Sequence, residues 1–418
     1  MRGSLIAWLV CIAGSCTLPA AAGQRWPYGQ FAEAAAARGD FAAAVDALEA
    51  EFAKCERQRP GGDACLGLLL AVPDLALRSG DAGRARTYAE RALVVARRTL
   101  PPVHADVAFA HSALGSSLSA LGDIVQAEPH YRQALAIDQS LKPARPLDIA
   151  TDYNNLAVNL DRQRRFADAE PFARQALALR KSAYPQGHRE VAISLNNLAF
   201  NLQAQGRLAD AEALFREALD MWRRQGSSAQ GDVGTAYNNL AGNLALQGRD
   251  AEAERGYRLA LQIVERTLPP EHPEVAQSMH NLATQLDGAG RYDEAEALYR
   301  RSAASVSLPL SHPSRITFNW ALAAHLQFRR RAPLEVRRLY IRAGQGVLER
   351  QRAHAGYTSA AQSETQTFRP IFTGQVRAAW DLAVAQRGLS AARVQASIDV
   401  PSDALTSPPS TTSVSPTT

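Results

Sequence analysis

Lysine is almost missing from this chain. It occurs only as Lys54, Lys142 and Lys181, so positive charge is carried by arginine. No long uninterrupted block of basic residues exists, and the formal net charge is only +5. Nucleic-acid binding is therefore not expected. The arginine bias fits a GC-rich coding preference better than phosphate recognition. Long apolar runs are lacking too. The longest, "LIAWLVCIAG" (5–14), is too short to span a bilayer permanently. Aromatics make up 7% of the residues while Ala is abundant, a combination that suits closely packed helices. Catalytic signatures are also absent: no Walker loop, no G-x-G-x-x-G after a strand, no G-x-S-x-G and no H-E-x-x-H. A non-enzymatic protein without cofactor or metal is expected.

Cysteine is scarce. Cys11 and Cys16 fall in a stretch that reads as a secretory signal. Arg2 supplies its charge, the apolar run follows, and Ala20 and Ala22 form an A-x-A cleavage pattern. This makes residues 1–22 a signal peptide. The alternative is lipoprotein processing at Cys16 in "IAGSC", where Ala13 stands in place of the usual Leu. Export to the periplasm, with no membrane insertion after signal removal, is the expected localisation. The remaining Cys55 and Cys65 flank "ERQRPGGDA", whose Pro-Gly-Gly marks a turn. In an oxidising compartment they can pair across it. The chain-entropy model gives such a short loop roughly 2.5–3 kcal/mol. Two unpaired thiols in helices are the alternative, and with no nearby His they make no zinc site.

At 418 residues the chain is too long for one compact core. It is long enough for two or three domains, or for one extended array. Repetition decides for the array. Leu114, Leu156, Leu198, Leu240 and Leu282 recur at a step of 42 residues. Each unit divides into two helical patterns around a turn. In 189–225, Leu195, Leu198, Ala199 and Leu202 form one apolar stripe, and Gly206 ends it. Leu208, Ala211, Leu214, Phe215, Ala218 and Met221 form the next. Small residues recur where helices must approach closely, at Ala157, Ala199, Ala241 and Ala283, and again at Ala127, Ala169, Ala211, Ala253 and Ala295. Tyr131, Phe215, Tyr257 and Tyr299 fill the space between, while Ala173 breaks that column.

The small–aromatic–small spacing of Ala211, Phe215 and Ala218 resembles the second helix of a tetratricopeptide repeat (TPR). The 42-residue period and the phrase "NNLA" resemble the longer kinesin light chain type. The resemblance implies an all-α fold, a right-handed superhelical solenoid of antiparallel helix pairs, about eight of them with degenerate ends. Residues 23–102 read as degenerate pairs and 103–305 as five 42-residue units. Residues 306–398 read as a degenerate repeat with capping helices, and 399–418 as a disordered Ser/Thr/Pro-rich tail. Pro73 stands at a close-packing position and predicts a bend or break near Val72. Phe368, Phe372, Val376 and Trp380 recur every four residues and predict a capping helix. This last stretch is also similar to the segment before the caspase-like (CHAT) protease domain of bacterial TPR proteins, but no such domain follows here.

His188, His272 and His312 open successive units. Equivalent positions in stacked units lie about 10 Å apart, too far to share a metal ion, so they read as residues leading into the first helix. Asp210, Glu212, Arg216 and Glu217 are expected on a solvated outer face, with ion pairs of little worth.

The asparagines of "TDYNNLAVNL", "SLNNLAFNLQ" and "AYNNLAGNLA" remain. Asn costs roughly 0.5–0.7 kcal/mol against Ala in a helix. A step of about 100° per residue puts Tyr153, Leu156, Ala157 and Leu160 on the buried stripe. Asn154 falls opposite, while Asn155 and Asn159 fall on the stripe's shoulder. In a TPR superhelix the first helices line the concave groove. Asn154, Asn196 and Asn238 are then expected to face the groove, and Asn155, Asn197, Asn239 and Asn281 to stand at its edge. Asn159, Asn201 and Asn243 are expected to face the neighbouring unit. An amide both donates and accepts, so a ladder of them can grip a peptide backbone, as the resemblance to light-chain repeats implies. Amides bonding between adjacent helices are the alternative. Phe200 beside Gly242 is a candidate pocket for one apolar side chain. The expected partner is a protein or peptide held in the groove. The alternatives are the regulatory half of a caspase-like system and a self-associating envelope scaffold.

Overall fold

Each 42-residue unit folds as two antiparallel helices because its apolar residues repeat with helical period on either side of a turn. The computed structural model describes residues 30–37, 40–58, 65–226, 230–304, 310–353 and 368–379. Among them no strand occurs. The pairs are α1 (Gln30–Ala37) and α2 (Phe41–Gln58), α3 (Leu66–Arg78) and α4 (Ala82–Thr99), α5 (Ala105–Leu121) and α6 (Ile124–Ser140), and α7 (Pro146–Arg162) and α8 (Phe166–Ala183). They continue as α9 (Arg189–Ala204) and α10 (Leu208–Arg224), α11 (Gln230–Leu246) and α12 (Asp250–Thr267), α13 (Pro273–Gly288) and α14 (Tyr292–Ala304), and α15 (Pro313–Phe328) and α16 (Pro333–Ala353). A last helix, α17 (368–379), follows. Residues 1–22, expected to be a signal peptide, with Cys16, residues 399–418, expected to be a disordered tail, and Trp380 lie outside the described residues.

Packing runs along the chain. Every helix from α1 to α16 touches the next. The first helices of successive pairs also touch one another, and more extensively than the second helices do. The solenoid therefore curves with its first helices inside. Small residues permit this. Ala157, Ala169, Ala199 and Ala211 are buried, and Tyr131, Phe215, Tyr257 and Tyr299 fill the gaps between helices. At Gly115 a Cβ would lie 2.9 Å from the Tyr131 ring, so only glycine fits beneath it.

One turn repeats. The residues closing the first helices, Gly122, Gly206, Gly248 and Gly290, have φ between 76° and 94°. The N–H of the following residue donates to the carbonyl five back, as from Arg207 to Leu202 at 2.9 Å. This is the αL stop that glycine makes without strain. Arg164 and Arg330 hold the same place at φ 62° and 51°.

Three expectations need correcting. α3 runs unbroken through Pro73, so the break expected as one alternative near Val72 does not occur. The ring removes one hydrogen bond, but Val72, Pro73, Leu75 and Ala76 are all buried around it and hold the helix. α17 does form, yet Val376 is exposed. Its inner face is Phe368, Ile371, Ala378 and Ala379, and it lies on α16, where Gly344 and Phe372 are in contact. Glu212, expected on a solvated outer face, is instead largely buried between units.

Candidate protein-binding groove

The first helices carry the asparagines to the inside of the curve, where the second asparagine of each unit reaches the preceding first helix. The Nδ2 of Asn197 donates to the Oδ1 of Asn154 at 2.8 Å, and Asn239 to Asn196 at 2.8 Å. Asn281 donates to Asn238 at 3.3 Å, and Asn155 opens the series by donating to Ser112 Oγ at 3.3 Å. Every rung joins residues 43 apart. The second asparagine of one unit thus pairs with the first asparagine, or its equivalent, of the unit before.

Burial follows from that pairing. Asn155, Asn197, Asn239 and Asn281, expected at the groove edge, are all buried. Asn154 and Asn238 are buried too, and Asn196 is half-buried. A rung uses the acceptor of the first amide and a donor of the second, and so leaves the first amide's NH2 group unspent. The Nδ2 of Asn154 has no partner, whereas that of Asn238 donates to Ser278 at 2.6 Å. Phe200 is half-buried against the core. A separate cavity of about 340 Å³ lies elsewhere, among Phe52, Leu69, Val94 and Val95.

The third asparagine column sits in the joint between units. Asn159 Nδ2 donates to the Ile124 carbonyl and Asn201 Nδ2 to that of Phe166, both at 2.9 Å. Their Oδ1 atoms accept from Gln163 and Gln205.

Those glutamines lead to a column that sequence reasoning treated as a solvated face. Gln247 donates to Glu212, which also accepts from Arg216 and from Arg249 of the following turn at 2.7–2.9 Å. Glu212 is therefore a clamp between units, with only 15% of its side chain exposed. Its partial burial works against ionisation, but hydrogen bonds from Gln247, Arg216 and Arg249 prevail and hold its pKa down to about 2. Glu128 and Glu170 repeat the arrangement. The signal was present in the sequence: Glu128, Glu170, Glu212, Glu254 and Glu296 share the 42-residue step.

Sequence reasoning also passed over buried ionisable groups. Burial raises the pKa of Asp161 to about 7, against the opposing hydrogen bond from Asn201. Burial, then the neighbouring Asp138, keeps the carboxyl of Asp152 protonated far above the usual range. His111 is pushed down to about 4 by burial, then by His130 and Arg97. Its Nδ1 lies 3.0 Å from that of His130. His188, His272 and His312 are N-caps, each accepting through Nδ1 from the backbone N–H two residues on. Cys55 and Cys65 form a disulfide with Cα atoms 6.0 Å apart.

A curved stack of helix pairs with an amide column on its inner helices defines a helical-repeat solenoid. The chain belongs to the tetratricopeptide repeat family. One model of that repeat matches residues 74–140 and 232–306, and a second matches 150–190 and 191–224. No curated protein matches the sequence. Among solved structures, a Rap protein complexed with competence and sporulation factor is similar. It has 16% identity and a TM-score of 0.54, over 84% of this chain and 97% of that one. Aspartyl phosphate phosphatase F of Bacillus subtilis has 12% identity and a TM-score of 0.50, over 74% and 75%. BtubC (BKLC) of P. vanneervenii has 25% identity and a TM-score of 0.43, over 54% and 89%. Among the described residues no helix is long and apolar enough to cross a membrane.

Proposed function

We propose that this chain is a non-enzymatic adaptor whose concave groove holds an extended segment, or a helix, of another protein. The observation that carries the reading is the amide ladder on the inner helices. Asn196 accepts from the next unit yet is only half-buried, so its amide can engage a peptide backbone without reading sequence. Asn154 and Asn238, buried in the neighbouring units, keep the ladder in line along the curve, and Phe200 offers an apolar contact for selecting a side chain. The edge amides, Asn155, Asn197, Asn239 and Asn281, hold the gripping amides in position. Export belongs to the same reading. The Cys55–Cys65 disulfide and the apolar run behind Arg2 support a periplasmic chain.

The test uses a photo-crosslinking phenylalanine analogue at position 200 in cells. It should trap a discrete partner, and Asn154→Ala with Asn196→Ala and Asn238→Ala should abolish the adduct. If that triple variant melts higher than the parent and traps the same partner equally well, the ladder is structural and the reading fails.

A further inference from the structure

Charge is distributed unevenly along this chain. Residues 329–353 contain eight Arg against two Glu, a formal +6, whereas the whole chain carries +5. α17 adds Arg369 and Arg377 with no acidic residue. The rest of the chain is thus slightly acidic, and the excess of cations sits at the C-terminal end of the solenoid. The feature that matters is this placement, not the general preference for arginine.

Arg329 and Arg331 pair back to Asp293 and Glu296 of the preceding unit, and the structure explains why other arginines here do not. Through the array, a glutamate on each second helix from α6 to α14 receives an arginine from the turn that follows, as Glu254 receives Arg291 and Glu296 receives Arg331. In α16 the column changes sign. Tyr340 follows Tyr299 by 41 residues, and at the same offset from Glu296 stands Arg337. A further unit of this type would bring its turn arginine against another arginine, so this end is not built to be stacked upon. Arg330, Arg338, Arg342, Arg369 and Arg377 are exposed and Arg337 is half-buried. None of the six has a carboxylate partner among the described residues. Apolar side chains stand among them. Phe328 is 70% exposed and Leu334 54% exposed, on either side of the α15–α16 turn, and Val376 of α17 is also exposed.

We propose that this end of the solenoid docks on an anionic lipid surface. Arg338, Arg342, Arg369 and Arg377 are exposed on helices and Arg330 in the turn between α15 and α16, a spread of charge suited to a broad negative surface. Guanidinium groups match phosphate geometry. Phe328 and Leu334 supply the apolar contact that the headgroup–acyl boundary accepts. The docked chain lies on the bilayer and does not span it, and its groove is left free.

Co-sedimentation of the full chain with phosphatidylcholine vesicles, with and without ~30 mol % phosphatidylglycerol, tests this. Each arginine is worth roughly fivefold in affinity for an anionic surface. Arg330→Glu, Arg338→Glu and Arg342→Glu combined should weaken binding to the anionic vesicles by ~100-fold or more. Phe328→Ser should weaken it by a smaller factor, and raised salt should weaken the parent toward the triple variant. The N-terminal apolar run is common to parent and variants, so the difference between them is the readout. Equal binding of parent and triple variant to anionic vesicles overturns the proposal. So does a triple-variant loss seen on polyglutamate but not on vesicles, which would assign the surface to an acidic protein. Circular dichroism and melting confirm that each variant is folded. Should the triple variant fail there, Arg338→Gln alone is expected to lower vesicle binding by about fivefold, and no loss overturns the proposal equally.

Discussion

The middle of the solenoid, α5 to α14, and its C-terminal end, α15 to α17, are built from the same kind of helix pair but treat their polar groups in opposite ways. In the middle, amides, glutamates and arginines find partners one unit away, at separations of 35 to 43 residues. At the end, the column that should offer glutamate offers Arg337, and the surrounding arginines face solvent. A periodic chain satisfies its polar groups through its neighbours. The last unit has a full helix pair on one side only, with the short α17 against it, and its leftover groups become the surface available to something else.

Substitutions can sharpen that contrast. The largest difference is expected in packing. Phe215→Ala, in the middle, should cost about 3–5 kcal/mol in urea unfolding. Phe372→Ala, on half-buried α17, should cost about 1–2 kcal/mol and loosen only the end, as hydrogen exchange would show.

Next comes pH. Asp161 has a folded pKa of about 7, above its unfolded value, so the folded chain binds more protons between the two. Its contribution is fully present below pH ~4 and is lost as pH rises to about 7. His111, held near 4, runs the other way, with its contribution present above about 6.5 and lost as pH falls to about 4. Across the shared window of about pH 4 to 7, Asp161→Asn should therefore remove a fall in melting temperature with rising pH, and His111→Gln a fall with decreasing pH. Parallel profiles for parent and variants would show that these buried groups are not linked to folding.

Smaller still is the clamp. Glu212→Ala removes an acceptor shared by three donors and should cost about 1–2 kcal/mol. Arg337→Glu, at the same column but without a following unit, should stay within ~0.5 kcal/mol. A comparable cost for both would mean that the clamp needs no neighbour. The turns give the smallest pair. Gly206→Ala, at φ 82° with open space around its Cα, should lose about 1 kcal/mol to backbone strain. Arg330→Gly, at φ 51°, should gain ~0.5 kcal/mol by relieving it.

Much of the fold was legible because it is local and periodic. The stripe of Leu195, Leu198 and Leu202, the stop at Gly206 and the spacing of Ala211, Phe215 and Ala218 each report one helix or one turn. Repetition turns that local information into a stack. The continuity of α3 through Pro73 was not legible, because packing around the ring outweighs a preference measured in isolated helices. The role of Glu212 was missed for a related reason. On a single helix it looks like one more surface charge, and only the turn of the next unit brings Arg249 to it.

The asparagines divide along the same line. By itself the sequence determined that three amide columns exist, that they share one period, and that they ride on the inner helices. Helical spacing is a property of one chain segment and can be read from one. Only the tertiary structure decided that Asn197 meets Asn154, that Asn201 reaches the Phe166 carbonyl, and that Asn154 is left with a donor to spare. Those contacts depend on the rotation and rise between adjacent units, which many side chains set together and no single stretch encodes.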